Sequence, residues 1–511
     1  MPAIDFNEHP RACSGDHDVV IVGAGAAGLY LAAALSARLR VLVLESGHFA
    51  ADPEKQRLNE IECTGAHLLS AVDGRKRAVG GTTIAWGGQS LPFSPLDFEA
   101  RPWVEDSGWP FGSDALLPHY KQANRAMGID TLDYGAEIFD LLGIRPLPFD
   151  SSQIRFHFSK WAPDPNFRRI FARQIESDFT VLYNCQFVDI EIEGSCVRAV
   201  IGRNSGGNAE RFPCARLIVA AGGLETNRLL LWLQSRHRFL TPDQQARLGT
   251  GFMEHPSVYA GTVTPRNEYG FQKAFNTQVH RRRRYSLRLS AAEEWLRRCR
   301  RLNVTAAFVM QRPDDAFDPY TEFRDFAKLW ATRGSISLTA RSFSTTAWAL
   351  AKDRFIYKCG GIPTLSLCAE QAPSPTNRLT LAERVDAFGM PTLSLHWQPA
   401  PATWEAITDF AQVVQAEVAR LDLGTVHLRE ELTNPDEPRL DLLYDIGHHM
   451  GGTAMGANPC RSVVDPDLLV RGLKNTWVCS ASAFPTGSHS NPTLTVLALA
   501  DRLAQHLLKS R

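Results

Sequence analysis

The chain has 511 residues, of which 44% are hydrophobic, 22% charged and 9% aromatic. At about 150 residues per domain, this length predicts roughly three structural units, with enough apolar side chains for more than one core. Lys plus Arg and Asp plus Glu number 55 each. A nucleic-acid-binding protein would have an excess of basic residues, so the zero net charge argues against that class.

The ten cysteines are scattered singly from Cys13 to Cys479, without a CxxC pair. This spacing predicts reduced, buried thiols, and neither a disulfide framework nor a metal site. The N-terminal residues are polar and mixed in charge, unlike a signal peptide, and the sequence has no uninterrupted apolar run of about 18 residues. We therefore expect a cytoplasmic protein without an integral membrane segment.

The first structural unit opens with a β–α–β pattern of about 30 residues. Val19–Val22 form a β-branched run typical of a buried parallel strand, and apolar residues at helical spacing follow through Leu35. A second apolar run covers residues 41–44. The pattern predicts a doubly wound α/β sheet.

Three glycines and one acid in this unit predict a dinucleotide site. Gly23 permits the tight turn, Gly25 lets the backbone approach a pyrophosphate, and Gly28 lets helix and strand pack closely. Glu45 ends the second strand, where its carboxylate can accept hydrogen bonds from ribose hydroxyls. FAD and NAD both contain an adenosine ribose and a pyrophosphate, so this unit alone leaves the choice between them open.

A second glycine-rich loop follows at residues 75–88. Gly80, Gly81, Gly87 and Gly88 bracket Trp86. Backbone without side chains beside a tryptophan is suited to lie against a flat ligand such as an isoalloxazine ring. A loop without a ligand is the alternative interpretation.

Further elements follow from hydrophobic periodicity and from Gly and Pro positions. The sequence predicts a helix from Ser113, two short strands over 181–192, a strand and Gly-Gly turn before a helix at 224–231, strands at 257–264 and 304–311, an amphipathic helix over 401–421 and a strand over 475–479. Residues 313–355 are aromatic-rich, and we expect helix there. The arginine-rich stretch 280–301 reads as a solvated face, or else as a surface for an anionic substrate or a membrane.

The C-terminal region combines histidines and an asparagine in two glycine-rich loops. His448 and His449 lie in the first loop, His489 and Asn491 lie in the second, and Pro492 is placed to open the final helix. A neutral histidine can accept a proton from a substrate hydroxyl, and an asparagine amide can donate to the same oxygen. We therefore predict a catalytic site here.

At this point the chain resembles the glucose–methanol–choline (GMC) oxidoreductases, FAD enzymes that oxidise alcohols. The resemblance rests on segments spread along most of the chain in the order that the family has: VIVGAGAAGLYLA with Glu45, AVGGTTIAWGG, SGWPF, VAAGGLETNRLLL with LGTGFMEHP, EQAPSPTNRLTL, HHMGGTAMG and LKNTWVCSASAFPTGSHSNPTLTVLALADRLA.

The resemblance implies an α/β fold with a discontinuous Rossmann-like FAD-binding domain and an α+β substrate domain with an antiparallel sheet. The first domain would comprise 15–100, 178–255 and 440–511, and the second would comprise 101–177 and 256–439. His448 leads HHMGGTAMG, the segment that the resemblance equates with the family's catalytic-histidine motif, and Asn491 matches the second member of the catalytic pair. The implied cofactor contacts are Gly23, Gly25, Gly28, Glu45, Gly80, Gly81, Thr82, Trp86, Gly87, Val188, Ala221, Ser480, Ala481, Asn491, Pro492 and Thr493.

Three positions qualify this reading. Ala85 stands where some relatives attach FAD through a histidine, which implies non-covalent FAD. His449 stands where many relatives have proline, so either His448 or His449 would face the flavin. Ser480 stands where the family often has Asp or Gly, which leaves that flavin contact open.

The implied function is oxidation of a CH–OH group of a polyhydroxylated small molecule, such as a sugar, a glycoside or an aminocyclitol-like compound, with O₂ or another compound as electron acceptor. The alternatives are oxidation of a simple or aromatic alcohol, a flavin-bound lyase of the hydroxynitrile-lyase type, a non-catalytic flavin-binding protein and an NAD-dependent dehydrogenase. Residues 280–301 and 313–355 are the expected places for substrate contacts.

Overall fold

The computed structural model describes residues 3–13, 15–66, 68–311, 348–358, 360–433 and 438–509. In this part of the chain the strands are as follows: β1 Ile4–Asp5, β2 His17–Val22, β3 Val41–Leu44, β4 Ile61–Gly65, β5 Gln89–Ser90, β6 Ile154–Trp161, β7 Thr180–Tyr183, β8 Gln186–Glu193, β9 Cys196–Arg203, β10 Ala209–Val219, β11 Ser257–Pro265, β12 Gln278–His280, β13 Arg283–Ala291, β14 Val304–Gln311, β15 Ile362–Ala369, β16 Arg378–Val385, β17 Pro391–Trp397, β18 Gly424–Leu428 and β19 Thr476–Val478.

The α-helices of the same residues are α1 Ala26–Leu35, α2 Pro53–Gln56, α3 Pro95–Phe98, α4 Leu117–Ala126, α5 Ala136–Leu142, α6 Phe167–Ile170, α7 Ala172–Ser177, α8 Gly222–His237, α9 Pro242–Arg247, α10 Glu268–Phe275, α11 Glu293–Cys299, α12 Pro401–Arg420 and α13 Pro492–Lys509. A π-helical turn covers Ala349–Asp353.

The first sheet has the strand order β1-β7-β3-β2-β10-β9-β8, with β19 beside β10. The pairs among β1, β7, β3, β2, β10 and β19 are parallel, whereas β8, β9 and β10 form an antiparallel meander. Strands β2 and β3 are buried between parallel neighbours, which agrees with their β-branched and aliphatic runs. The predicted doubly wound α/β unit is therefore confirmed.

The second sheet is antiparallel, with the order β18-β11-β15-β14-β13-β6-β5 and β12 beside β13. Helix α12 packs against β14, β15 and β18 and buries Trp404, Ile407, Phe410 and Val414, as its amphipathic pattern predicts. Two large apolar clusters result, one around the first sheet and one around the second. A smaller three-stranded sheet has the order β16-β17-β4. The residue boundaries of the two domains stay a prediction.

Most of the other predicted elements are present. The helix expected from Ser113 begins instead at Leu117, after a 3-10 turn at Ser113–Ala115. Pro118 has no N–H to donate to a carbonyl one turn earlier, so it fits only the first turn of an α-helix. The helix predicted within 313–355 falls largely on residues outside the described part.

The nine described cysteines form no disulfide. The expectation of buried thiols is wrong for Cys63 and Cys460, which are exposed. No helix among the described residues is long and apolar enough to cross a membrane. In the same residues, no group of three or more His, Cys, Asp or Glu side chains is arranged to hold a metal ion.

Candidate active site

One cavity of about 700 Å³ brings the predicted site residues together. It extends from the carboxyl ends of β2 and β3 to Trp161 at the end of β6 in the second sheet. The predicted residues that line it are Gly23, Gly25, Glu45, Gly81, Thr82, Trp86, Gly87, Ala221, His448, His449, Ser480, Ala481, Asn491, Pro492 and Thr493. Segments far apart in the sequence therefore share one space.

One end of the cavity has the features of a dinucleotide site. Gly23 has a φ of +103°, and a Cβ at Gly25 would meet nothing within 4 Å, so the space above the first turn of α1 is open. The N-terminus of α8 also borders the cavity, as do Arg75 and Lys76. Helix N-termini and cations favour an anion, so this end fits a pyrophosphate.

Glu45 is buried at the same end. One carboxylate oxygen accepts a hydrogen bond from the N–H of Ala24 at 2.9 Å, and the other accepts from the N–H of Gly47 at 2.8 Å. Burial raises the pKa of Glu45, and these two N–H groups oppose that shift. Since each carboxylate oxygen has two lone pairs, Glu45 can still accept from ribose hydroxyls.

Three predicted cofactor residues lie outside the cavity lining. A Cβ at Gly28 would stand 1.9 Å from the carbonyl oxygen of Gly23, so Gly28 permits close packing of α1 on the preceding turn. Gly80 precedes the lining residue Gly81. The carbonyl of Val188 accepts from the indole N–H of Trp232 at 2.8 Å. The adenine contact of Val188 stays a prediction.

The second glycine-rich loop forms part of the cavity wall. Trp86 is fixed there because its indole N–H donates to the carbonyl of Pro165 at 2.7 Å. Gly87 packs against Trp161, since a Cβ at this glycine would stand 3.0 Å from the Trp161 ring. The hydroxyl of Ser480 lies 2.6 Å from that of Ser482 and accepts from its N–H at 3.1 Å, so Ser480 caps the turn that follows β19.

The predicted catalytic pair, which also lines the cavity, is in contact. The Nε2 atom of His448 lies 3.2 Å from the amide Nδ2 of Asn491, which can only donate. On the opposite side of the ring, Nδ1 of His448 lies 2.8 Å from Nδ1 of His255. The backbone N–H of His448 donates to Glu254 at 2.7 Å. His448 is thus held from three directions while it borders the cavity.

His449 also borders the cavity but has different partners. Its Nε2 atom lies 2.9 Å from the hydroxyl of Ser70, and its ring stacks on Phe252. Of the two histidines, His448 is the one in contact with Asn491.

Burial keeps both imidazoles neutral. Burial is the main cause that lowers the pKa of His448 well below 6.5, and the neighbouring His255 and His449 lower it further. Burial, and next the charge of Arg75, lowers the pKa of His449 to about 3. A neutral His448 has a free lone pair throughout the physiological pH range, which general-base chemistry requires.

His489, the other histidine of the C-terminal loops, belongs to a separate group of buried side chains that are linked by hydrogen bonds. Its Nε2 atom lies 2.6 Å from the hydroxyl of Ser290, which lies 2.6 Å from Nε2 of His157. The hydroxyl of Ser488 donates to Asp97 at 2.8 Å beside it. None of these side chains lines the cavity.

Sequence reasoning missed several residues of this site. Glu254 and His255 lie in the segment LGTGFMEHP, whose role no spacing rule gives, and they meet His448 across 193 positions of sequence. Gln89 and Trp161 also line the cavity, on β5 and β6. No strand was predicted from the sequence over 154–161. The apolar residues Ile154, Phe156 and Phe158 alternate with polar ones there, and this alternation was the available signal for β6, which ends at Trp161.

Comparison with protein families gives two matches. Residues 373–500 match the model for GMC oxidoreductase, and residues 21–73 match the model for an NAD(P)-binding Rossmann-like domain. The first match contains His448 and Asn491, and the second contains the first glycine motif and Glu45.

Individual proteins resemble the chain over parts of its length. C-glycoside 3-oxidase of Microbacterium trichothecenolyticum is 30% identical over 29% of this chain and 27% of that protein. Paromamine 6'-oxidase of Streptomyces fradiae is 30% identical over 22% of this chain and 23% of that protein. The chain thus matches about a quarter of the length of these two relatives.

The whole fold resembles a solved structure. The structure of pyridoxine 4-oxidase from Mesorbium loti superposes with a TM-score of 0.61 over 97% of this chain and all of that one, at 18% identity. This likeness concerns the arrangement of both sheets.

Proposed function

The chain belongs to the GMC oxidoreductases, and on that premise we propose that it is an FAD-dependent enzyme that oxidises a CH–OH group of a polyhydroxylated small molecule to a ketone or an aldehyde. One observation carries the proposal. The pair of His448 and Asn491 lines the same cavity as the open glycine turn and Glu45 of a dinucleotide site.

FAD fits the residues present along this cavity. Gly23 and Gly25 at the start of α1 would hold the pyrophosphate, and Glu45 would hold the adenosine ribose. Ala85, on the cavity wall, has no atom that could bond to the cofactor, so we propose non-covalent FAD. Bound FAD supplies the acceptor for the hydride that leaves the substrate carbon.

His448 would act as the general base. Its Nε2 atom accepts the proton of the substrate hydroxyl while the hydride leaves the same carbon, so that the carbonyl double bond forms without a free alkoxide. The amide of Asn491, released from Nε2 as the hydroxyl takes its place, donates to the substrate oxygen. The protein thereby fixes the position of the oxygen and removes the proton.

The substrate class follows from the relatives and the walls of the cavity. C-glycoside 3-oxidase and paromamine 6'-oxidase are named for glycoside-type molecules. The lining of the cavity includes Trp161 and Gln89, which lie opposite each other on β6 and β5. An aromatic face beside a polar group suits a sugar ring, which has an apolar C–H face and hydroxyls at its edge.

Anaerobic spectroscopy of the purified protein tests the proposal. We expect a flavin absorbance band that one of several donors bleaches, the donors being C-glycosides, aminoglycosides, polyols and simple alcohols. The His448→Gln variant should keep the band but reduce about 10²–10⁴-fold more slowly, because the base is lost. His427→Gln, at an exposed position on β18, is the matched control and should behave as the unmodified protein.

Three results would contradict all or part of the proposal. A protein without a flavin band after addition of FAD would remove the cofactor assignment. A flavin that no donor bleaches, combined with cleavage of a cyanohydrin, would favour the lyase alternative. Bleaching by simple alcohols but not by glycosides would keep the oxidoreductase and reject the substrate class.

A further inference from the structure

A second imidazole lies directly behind the catalytic base. Nδ1 of His255 is 2.8 Å from Nδ1 of His448, and the two rings meet edge to face with centroids 4.9 Å apart. His255 is completely buried and does not line the cavity. It therefore has no contact with substrate in the proposed mechanism, and its effect must pass through His448.

The backbone around His255 determines which of its nitrogens has the proton. Nε2 of His255 lies 3.2 Å from the carbonyl oxygen of Gly487, and a carbonyl can only accept. Burial lowers the pKa of His255 to about 4, so at neutral pH its ring has a single N–H. That N–H is on Nε2, facing the carbonyl, and Nδ1 of His255 is left as an acceptor.

The same reasoning then determines which nitrogen of His448 has the proton. Two acceptors cannot share the 2.8 Å contact, so Nδ1 of His448 must have the proton and donate it to His255. Nε2 of His448 is left with its lone pair. The contact with Asn491 leads independently to the same tautomer, because the amide Nδ2 there can only donate to Nε2.

We propose that His255 is a positioning residue that selects the reactive tautomer of His448. The backbone carbonyl of Gly487 determines the tautomer of His255, and His255 in turn determines that of His448. The inference rests on the proposed function, since it concerns the same base. A histidine whose partner holds Nδ1–H presents Nε2 as a base, whereas the opposite tautomer has no lone pair at that atom.

Glu254 makes this arrangement rigid. One of its carboxyl oxygens accepts the backbone N–H of His448 at 2.7 Å and the backbone N–H of His255 at 2.9 Å. Both histidines are therefore tied to a single atom of a completely buried side chain. The separation of the two rings does not depend on the conformation of an exposed loop.

Two variants separate the hydrogen bond from simple packing. In His255→Asn the side-chain oxygen takes nearly the position of Nδ1, because both atoms are bonded to Cγ, and it can accept from His448. In His255→Leu the volume is largely kept but the acceptor is lost. We expect His255→Leu to retain FAD but to lower the rate of flavin reduction about 10–100-fold, the range for loss of an orienting partner, and His255→Asn to restore most of it.

The direct measurement is ¹⁵N NMR of the holoenzyme labelled in its histidine rings, with the His448 signals identified by their loss in His448→Gln. In the unmodified enzyme near pH 8, Nδ1 of His448 should be protonated and Nε2 unprotonated. The same pattern should persist in His255→Asn. In His255→Leu only the contact with Asn491 still favours this tautomer, so the opposite tautomer should appear beside it as a mixture. The spectrum of the unmodified enzyme can overturn the inference even if a variant does not fold.

A proton on Nε2 of His448 in the resting enzyme would overturn the inference. So would a His255→Leu enzyme with both the unmodified tautomer and the unmodified reduction rate. The NMR measurement needs no substrate, so the two proposals can fail separately. If no donor reduces the flavin but the tautomer is as expected, the proposed function fails and the assignment to His255 stands.

Discussion

Gly28→Ala should destabilise the protein whether or not the cofactor is bound. The added Cβ would stand 1.9 Å from the carbonyl oxygen of Gly23 and 3.1 Å from its carbonyl carbon. Both atoms belong to the backbone and cannot rotate away, so α1 must move by more than about 1 Å from the end of β2. Overpacking of this kind costs about 1–3 kcal/mol, a large share of a typical stability.

Gly25→Ala is the matched comparison three residues earlier. A Cβ at this position meets nothing within 4 Å of the protein, and the backbone of Gly25 has a φ of −83°, which alanine adopts freely. The variant should change the stability of the apoprotein by less than about 1 kcal/mol. The methyl group would project into the space assigned to the pyrophosphate, so the Kd for FAD should rise by about tenfold or more, equivalent to about 1.4 kcal/mol.

Urea unfolding of the two apoproteins and fluorescence titration with FAD distinguish these effects. The expected pattern is a lower unfolding midpoint for Gly28→Ala alone, and weaker FAD binding for Gly25→Ala at an unchanged midpoint. An unchanged midpoint for Gly28→Ala would refute the packing argument. Unchanged FAD affinity for Gly25→Ala would refute the position assigned to the pyrophosphate.

Three further predictions concern buried charges. Burial raises the pKa of Glu254 from 4.5 to about 8, so its contribution to stability is complete below pH 4.5 and is lost as the pH rises through 8. The urea midpoint should therefore decline over this pH range, and Glu254→Gln should flatten the decline. An unaltered decline in Glu254→Gln would count against this shift. Burial lowers the pKa of His255 to about 4 and that of His449 to about 3. The free energy of unfolding should therefore fall as the pH drops below 6.5, by up to about 1.4 kcal/mol per pH unit for each group. A urea midpoint that stays constant from pH 7 to 5 would contradict this prediction. Arg101 and Glu370 form a buried ion pair with N–O distances of 2.7 and 2.5 Å. Arg101→Met should lower the free energy of unfolding by about 3–5 kcal/mol, because it leaves the carboxylate unpaired, and adding Glu370→Leu should recover much of that loss. Equal urea midpoints for the single and double variants would refute this prediction.

Local patterns predicted the elements of the fold well, because each depends on a few adjacent residues. The run Val19–Val22, the glycine turn and α1 follow from periodicity and from the space that glycine leaves. The helix predicted over 401–421 is present as Pro401–Arg420, since its apolar positions recur at helical spacing. The start of α4 differed because Pro118 limits where an α-helix can begin.

The site could be predicted only in part. The motifs and the family resemblance pointed to His448 and Asn491, but the order of partners behind the base depends on contacts between distant segments. His255 touches His448 because the segment before β11 lies antiparallel to residues 444–450, through the backbone bridges Met253–Met450 and Ser257–Tyr444, and because Glu254 binds the N–H groups of both histidines. A sequence pattern also cannot show which backbone carbonyl accepts a hydrogen bond from a distant side chain, as the carbonyl of Gly487 does from the ring of His255, 232 positions away.

The order of the strands in the first sheet has a consequence for synthesis of the protein. Strand β10, the neighbour of β2, pairs along its other edge with β19, whose residues follow β2 by more than 450 positions. Helix α1 packs in the same way on α13, and the walls contributed by His448 and Asn491 also emerge long after the first glycine turn. The nascent chain must therefore hold β10 without β19, and α1 without α13, while the residues between them are made, and the cofactor cannot be enclosed until those segments arrive. Contacts between segments so far apart in sequence make folding slow, and the apolar surfaces that they cover stay exposed until the later segments are made.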